Sequence, residues 1–372
     1  MKMQSVRFNT KESPEFFREL RMRVNNYFTE NKVSPKGNGT MVFKSIFMIC
    51  LYFVPLGFLL SGLITSTWAM FGIWTLMGLG MAGIGLSIMH DANHGSYSEK
   101  RTINYLMGYL VNFLGAFHVN WILQHNVQHH SFTNIDGHDG DIENAFFRFA
   151  PQQPRKKLFR YQIYYAPFLY GLMTFFWYTS KDFIDLFKYN KLGLLKKRGY
   201  KFKNQLTHLI INKVWYTILT LVLPLIILDL PWWQVILGFL LMHYISGLIL
   251  ALIFQPAHVL EETSFYVTDD NGSVENNWAI HQMKTTANFA NRSRWFSWLI
   301  GGLNFQIEHH LFPNICHVHY NKISKIVRET AAEFNVPYYH HKTFGKALSS
   351  HFKLLNALGT GKYDLELART KQ

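Results

Sequence analysis

The sequence predicts an all-α integral membrane fold: four transmembrane helices paired as two hairpins, with a cytoplasmic helical cap at their ends. Three observations carry this expectation. Four apolar stretches carry no charge over most or all of the roughly 20 residues that a bilayer span requires. Charged residues make up only 16% of the 372, against a usual quarter or so, and they are gathered in blocks between those stretches. Three clusters of histidine recur among them.

The first 41 residues are polar and charged, a composition that argues against a cleaved signal peptide. Within them, SPEFFRELRMRVNNYF predicts an amphipathic helix docked on the protein or lying on lipid. Ser13 is the expected N-cap and Pro14 the first helical residue, with Phe16, Leu20, Val24, Tyr27 and Phe28 on one face. Spans are expected at about 45–64, 68–89, 212–228 and 232–254. The first two are joined by only Thr65 to Thr67, and the last two by DLPWW, with Pro231 and an interfacial Trp pair. The stretches 105–123 and 161–178 are also uncharged, but Gly, Pro, Asn or His cuts them, and their aromatic load suits an interface. The chain is thus expected to divide into a cytoplasmic segment 1–41, a membrane domain 42–340 and a cytoplasmic tail 341–372.

Both hairpin turns lack Lys and Arg, whereas residues 155–203 carry twelve of them. By the positive-inside rule the N-terminus, the middle section and the tail face the cytoplasm, the expected setting being a bacterial cell membrane. Orientation also accounts for most of the net charge of +14. Nucleic acid is not an expected partner, because no base-stacking or groove-reading motif accompanies the basic balance. Cys50 and Cys316 are the only cysteines, which excludes a disulfide framework and a cysteine-ligated zinc or iron–sulfur site.

The histidine clusters are HDANH (His90, His94), HNVQHH (His125, His129, His130) and QIEHH (Gln306, His309, His310). An α-helix turns about 100° per residue, so His90 and His94 share a face, as do His125 and His129. His130 is then turned about 140° from His125, poised for a second ion. Seven imidazoles suit two metals, and His258, in FQPAHVLEE after the fourth span, is an expected eighth ligand. For the clusters to share one side of the membrane, 105–123 must stay cytoplasmic and 161–178 must not cross. Asp91 and Glu308 adjoin ligands and are candidates to orient imidazoles from behind. The acidic loop Asp136, Asp139, Asp141 and Glu143 is either a supporting shell or a solvated loop. The remaining histidines, His243 within a span among them, read as surface or hydrogen-bonded core residues.

Imidazole-rich sites accept zinc, copper, iron or nickel. Two irons held by neutral nitrogens at a membrane surface suit oxygen activation for attack on an unactivated C–H bond.

The order HxxxH, HxxxHH, QxxHH resembles the membrane fatty acid desaturases over about residues 40–340, carried by HDANHGSYS, QHNVQHHSFTNIDGHDGDIE and GGLNFQIEHHLFP. The resemblance implies two non-haem irons, O2 and two electrons from a redox partner, with an acyl-CoA or acyl-lipid substrate. It implies His90, His94, His125, His129, His130, His309 and His310 as ligands, His258 as the additional ligand, and Gln306 as a weak or supporting one. Gln306 in place of a first histidine is similar to front-end desaturases, which act between an existing double bond and the carboxyl end. No His-Pro-Gly-Gly haem motif occurs, so electrons are expected from a separate ferredoxin or cytochrome b5-type donor. The basic groups Arg155 to Arg160 and Lys196 to Lys203 are the expected docking candidates. A lipid hydroxylase, ketolase or epoxidase uses similar boxes, and a metal transporter is a remoter alternative.

Overall fold

The structure, a computed structural model, describes residues 6–10 and 13–365. The chain is mostly helical. The helices used below are α1 (Pro14–Glu30), α2 (Gly39–Leu60), α3 (Thr67–Asn93), α4 (Arg101–Leu114), α5 (His118–Phe132), α6 (Phe202–Ile227), α7 (Trp232–His258), α8 (Trp278–Thr285), α9 (Gln306–Leu311), α10 (Tyr320–Glu333) and α11 (Phe344–Thr360). Two short parallel pairs complete it, β1 (Arg7–Phe8) with β2 (Ser273–Val274) and β3 (Ala287–Phe289) with β4 (Tyr339–His341).

Among the described residues, α2, α3, α6 and α7 are long and apolar enough to cross a membrane. Their ends differ from the sequence expectation for local reasons. Helix α2 stops at Leu60, because the chain turns at Gly62, whose φ of 72° is costly for any residue with a Cβ. Helix α3 runs on to Asn93 and carries His90 within it. Helix α6 begins at Phe202, ten residues before the expected start, since Lys203, Asn204, Gln205 and His208 interrupt the apolar pattern of a continuous helix. Helix α7 reaches His258 across a break at Pro256, whose ψ is 16°. Ser13 does not cap α1 through its side chain. Its backbone is left-handed, and its carbonyl accepts from the Phe16 N–H at 3.2 Å instead. The 105–123 stretch is bent by 110° between α4 and α5, and 161–178 is broken into the short helices Gln162–Gly171 and Met173–Phe176 before a π-helical turn.

The chain forms two compact units, each built from non-consecutive segments. The first comprises 37–123 and 167–251. Its long helices touch through small residues, as lipid-embedded helices do when no water drives them together. A Cβ on Gly80 would run into the Leu51–Tyr52 backbone, and one on Gly78 into the Met242 carbonyl. Outward faces are apolar, with Phe43, Ile46, Val54 and Phe58 exposed on α2 and Ile211, Val214 and Ile226 on α6. The α4–α5 bend is held from α6. The buried Lys213 ammonium donates to the Gly115 carbonyl at 2.6 Å, the Trp177 carbonyl at 2.9 Å and Asp182 at 2.5 Å. Asn212 donates to the Ala116 carbonyl at 3.0 Å, and Asn120 to Asp182.

The second unit comprises the described residues of 3–36, 124–166 and 252–372. Phe16, Leu20, Val24 and Phe28 of α1 form a core with Ile323, Val327 and Ala331 of α10 and with Ile307 and Leu311 of α9. Arg23 closes its edge, donating to Glu19 and to both oxygens of Glu333 at 2.7 Å. Helix α11 is fastened by Gln162, which donates to the Leu355 carbonyl, and by buried Arg148, which donates to the Leu358 carbonyl and to Asp364.

Candidate metal centre

Residues Ile122–His129 of α5 are a π-helix, not the α-helix the spacing predicted. Hydrogen bonds then close over five residues, so positions five apart come to the same side. His125 and His130 meet, with 3.2 Å between their Nε2 atoms, in place of the 140° separation expected of an α-helix. His129 lies with His258 and His310, and His130 with His309 and His310. Within each trio the ligand nitrogens are within 4.8 Å of one another, and every one of these residues is buried. His310 belongs to both trios, so the second unit presents two adjoining nitrogen-lined positions.

Four of these imidazoles are aimed by a group behind them. His129 Nδ1 lies 3.2 Å from both oxygens of Asp139 and 3.3 Å from Asp141. His310 Nδ1 donates to Gln282 Oε1 at 2.8 Å, His258 Nδ1 to the Thr285 carbonyl at 3.2 Å, and His309 Nδ1 lies 3.2 Å from the Tyr320 hydroxyl. Asp139 is itself fixed by the N–H groups of Asn134 and Asp141. Burial alone would lower the His129 pKa, but Asp139 and Asp141 outweigh it and raise it to about 9. Burial likewise works against the Asp139 carboxylate, yet His129 holds that group below its usual range. A positive charge is therefore favoured at this point, and a cation bound by the imidazoles meets the same field.

The donor set fits a metal that accepts neutral nitrogen. The Gln306 side chain is buried beside His258, and its amide nitrogen has no hydrogen-bond partner, which in a water-free place is costly unless something binds there. Glu308 does not orient an imidazole. Its oxygens accept from Asn288 at 2.8 Å and Tyr338 at 3.0 Å, and the Asn288 Oδ1 accepts the Ile307 N–H, so this trio pins α9. Burial pushes the Glu308 carboxyl up to about 7.

In the first unit His90 and His94 come together as predicted. Their ring centroids are 5.0 Å apart, and both rings meet Trp121 edge-on. Asp91 Oδ1 is 4.0 Å from His90 Nδ1. The sequence reading missed Gln282, Thr285 and Tyr320. The first two lie in WAIHQMKT, where no metal-like spacing marks them. Asp139 was one of four acids in a loop, and only its contact with His129 singles it out.

Fold and site together define a mostly helical protein with four candidate membrane-spanning helices and a buried, histidine-built cluster suited to a metal. The fatty acid desaturase profile matches residues 66–342, and the chain belongs to that family, an oxidoreductase acting on fatty acyl chains. It is 36% identical to an acyl-lipid (8-3)-desaturase of Physcomitrium patens over 98% of this chain and 76% of that one. It is 33% identical to an sn-1 linoleoyl-lipid 6-desaturase of Synechocystis sp. over 92% of this chain and 95% of the relative, and 32% identical to an acyl-lipid (8-3)-desaturase of Mortierella alpina over 92% and 78%.

Proposed function

We propose that this chain is a front-end acyl-lipid desaturase with two irons held on the cytoplasmic side of four spans in two hairpins. The observation that carries the reading is the pair of adjoining histidine trios sharing His310. His125, His129, His130, His258, His309 and His310 would hold the irons, and the sequence pattern alone adds His90 and His94. Bound there, the irons supply an O2-derived oxidant strong enough to take hydrogen from two neighbouring methylene carbons.

The chain's own residues prepare that chemistry. Asp139, Gln282, Thr285 and Tyr320 fix His129, His310, His258 and His309 from behind, so these nitrogens need little rearrangement. The burial of every one of these ligands keeps water from the oxidant. Gln306, beside the third cluster, supports the front-end assignment through its resemblance to that subgroup. The names of the relatives favour an acyl-lipid over an acyl-CoA substrate. Electrons come from a separate ferredoxin or cytochrome b5-type carrier.

Lipid profiling of a host that expresses the chain with such a carrier tests the reading. The expected product has a new double bond on the carboxyl side of an existing one. A hydroxylated or epoxidised chain as the main product would overturn it.

A further inference from the structure

Helix α1 buries one face against α10, and its outer face bears a groove of about 530 Å³ lined by Phe17, Arg18, Arg21, Met22, Asn25 and Asn26. Arg18 and Arg21 are exposed, while Arg23 is engaged with Glu19 and Glu333. The floor of the groove leads inward. The Phe17 ring meets Trp278 edge-on at 5.5 Å and Phe312 at 6.0 Å. The half-buried Trp278 then donates from Nε1 to the His130 carbonyl at 3.2 Å. A surface ring, an indole and one hydrogen bond thus connect the groove to the backbone of a histidine in the cluster.

We propose that this groove docks an acidic one-electron carrier protein and that Phe17 and Trp278 pass its electrons to His130, an inference that rests on the metal centre proposed above. The balance requires such a carrier. O2 takes four electrons on its way to two waters: two leave with the two hydrogens of the acyl chain, and two come from two carrier molecules in turn, with two protons from solvent. Tunnelling falls steeply with distance and travels further through bonds and π-systems than across gaps, so an entry point wants a short aromatic path beneath it. The two arginines supply attraction to an acidic partner, which mainly raises the rate of encounter. In the basic block at 155–160, by comparison, Arg155 donates to the Thr360 carbonyl, and Lys156 and Arg160 lie over the rings of Phe159 and Tyr161.

The test uses the full chain in lipid nanodiscs with reduced ferredoxin as the acidic carrier. Association is followed by biolayer interferometry, and anaerobic oxidation of ferredoxin by its own absorbance. Arg18→Glu with Arg21→Glu should weaken association at least tenfold at low salt, with the difference shrinking as salt screens the charges. Reduction of the same variant by dithionite should match the parent. Trp278→Phe, which lacks the indole N–H, should bind the carrier normally yet oxidise it several-fold more slowly at saturation. Unchanged association of the double variant at low salt overturns the docking site. So does quenching of a label at Met22→Cys, introduced into a Cys50→Ser background, by doxyl lipids, which would make the groove a lipid-facing surface. Equal transfer through Trp278→Phe overturns the path. Carrier association needs no iron, so a parent chain that binds ferredoxin in this groove but holds no iron would sink the proposed metal centre and leave the groove standing.

Discussion

Both oxygens of Asp139 stand 3.2 Å from Nδ1 of His129, and the two side chains are almost wholly excluded from water. The carboxylate fixes which ring nitrogen faces the cluster and supplies negative charge to whatever cation is held there. Loss of such a supporting partner typically costs about 10–100-fold in metal affinity or activity. Asp139→Ala should therefore lose iron to a chelator that leaves the parent loaded. Asp139→Asn, which keeps an acceptor without the charge, should fall between the two. Equal retention in all three would mean that the pair is structural only.

The ligands themselves are tested by truncation. The parent is expected to hold about two irons per chain. His309→Ala and His129→Ala should abolish turnover while the protein still inserts into the membrane, with metal content falling by elemental analysis. Full activity of either variant excludes that residue as a ligand.

How much of this was legible in the sequence depends on which helix type the residues adopt. His90 and His94 fall on one face because their stretch is α-helical there, and the four-residue rule holds. The same rule brings His125 and His129 together, as their nitrogens within 4.8 Å show, but it misplaces His130, because spacing in a sequence does not announce a π-helix. A fifth-residue partner, His130, replaces the expected separation. Apolar length located the four long helices, but not the start of α6, where Lys203, Asn204, Gln205 and His208 interrupt the apolar pattern without breaking the helix. Gln282 and Thr285 were invisible, since a single amide and a backbone carbonyl carry no periodic signal. They are found only when α8 packs beneath the cluster.

Membrane orientation has its own check. With the clusters on the cytoplasmic side, residues near Thr65 and Asp229 should accept membrane-impermeant labels from outside, and residues near His125 should not. The sequons at Asn38, Asn271 and Asn291 should stay unglycosylated in a eukaryotic host. Asn38 has a further reason to be inaccessible, since its side chain caps α2 by accepting from the Thr40 and Met41 N–H groups. External labelling beside His125 would refute the four-span arrangement.

The clasp between Arg148 and Asp364 makes a pH-dependent prediction. Hydrogen bonds from Arg148 hold the Asp364 carboxyl below its usual range, outweighing the small effect of burial. A carboxyl depressed in the folded state stabilises above its unfolded value, about 3.9, and that contribution is lost as pH falls through the lower folded value. Asp364 is 43% exposed, so the effect is small. The protection of the α11 amides, measured relative to their intrinsic exchange rate at each pH, should fall on acidification below about pH 4 in the parent. That acid dependence should be weaker in Asp364→Asn. An identical acid profile in the two proteins would remove the pair from the account.

Lys213 and Asn212 hold the bend between α4 and α5 through the Gly115 and Ala116 carbonyls, and Lys213 also ties it to the Trp177 carbonyl. Lys213 and Asp182 are each only 8% exposed, so neither charge can turn to water when the other is removed. Truncating one partner of a buried pair costs on the order of 3–5 kcal/mol, because the survivor is stranded. Replacing both by apolar groups of similar volume is often close to neutral. Lys213→Met should thus lower the unfolding temperature in detergent sharply, and adding Asp182→Leu should recover much of the loss. Recovery should stay partial here, since Asn120 would lose its bond to the Asp182 side chain and the Gly115 and Trp177 carbonyls would lose their donor. A double variant as unstable as the sum of the two single ones would show that the carbonyl contacts, and not the ion pair, hold the bend.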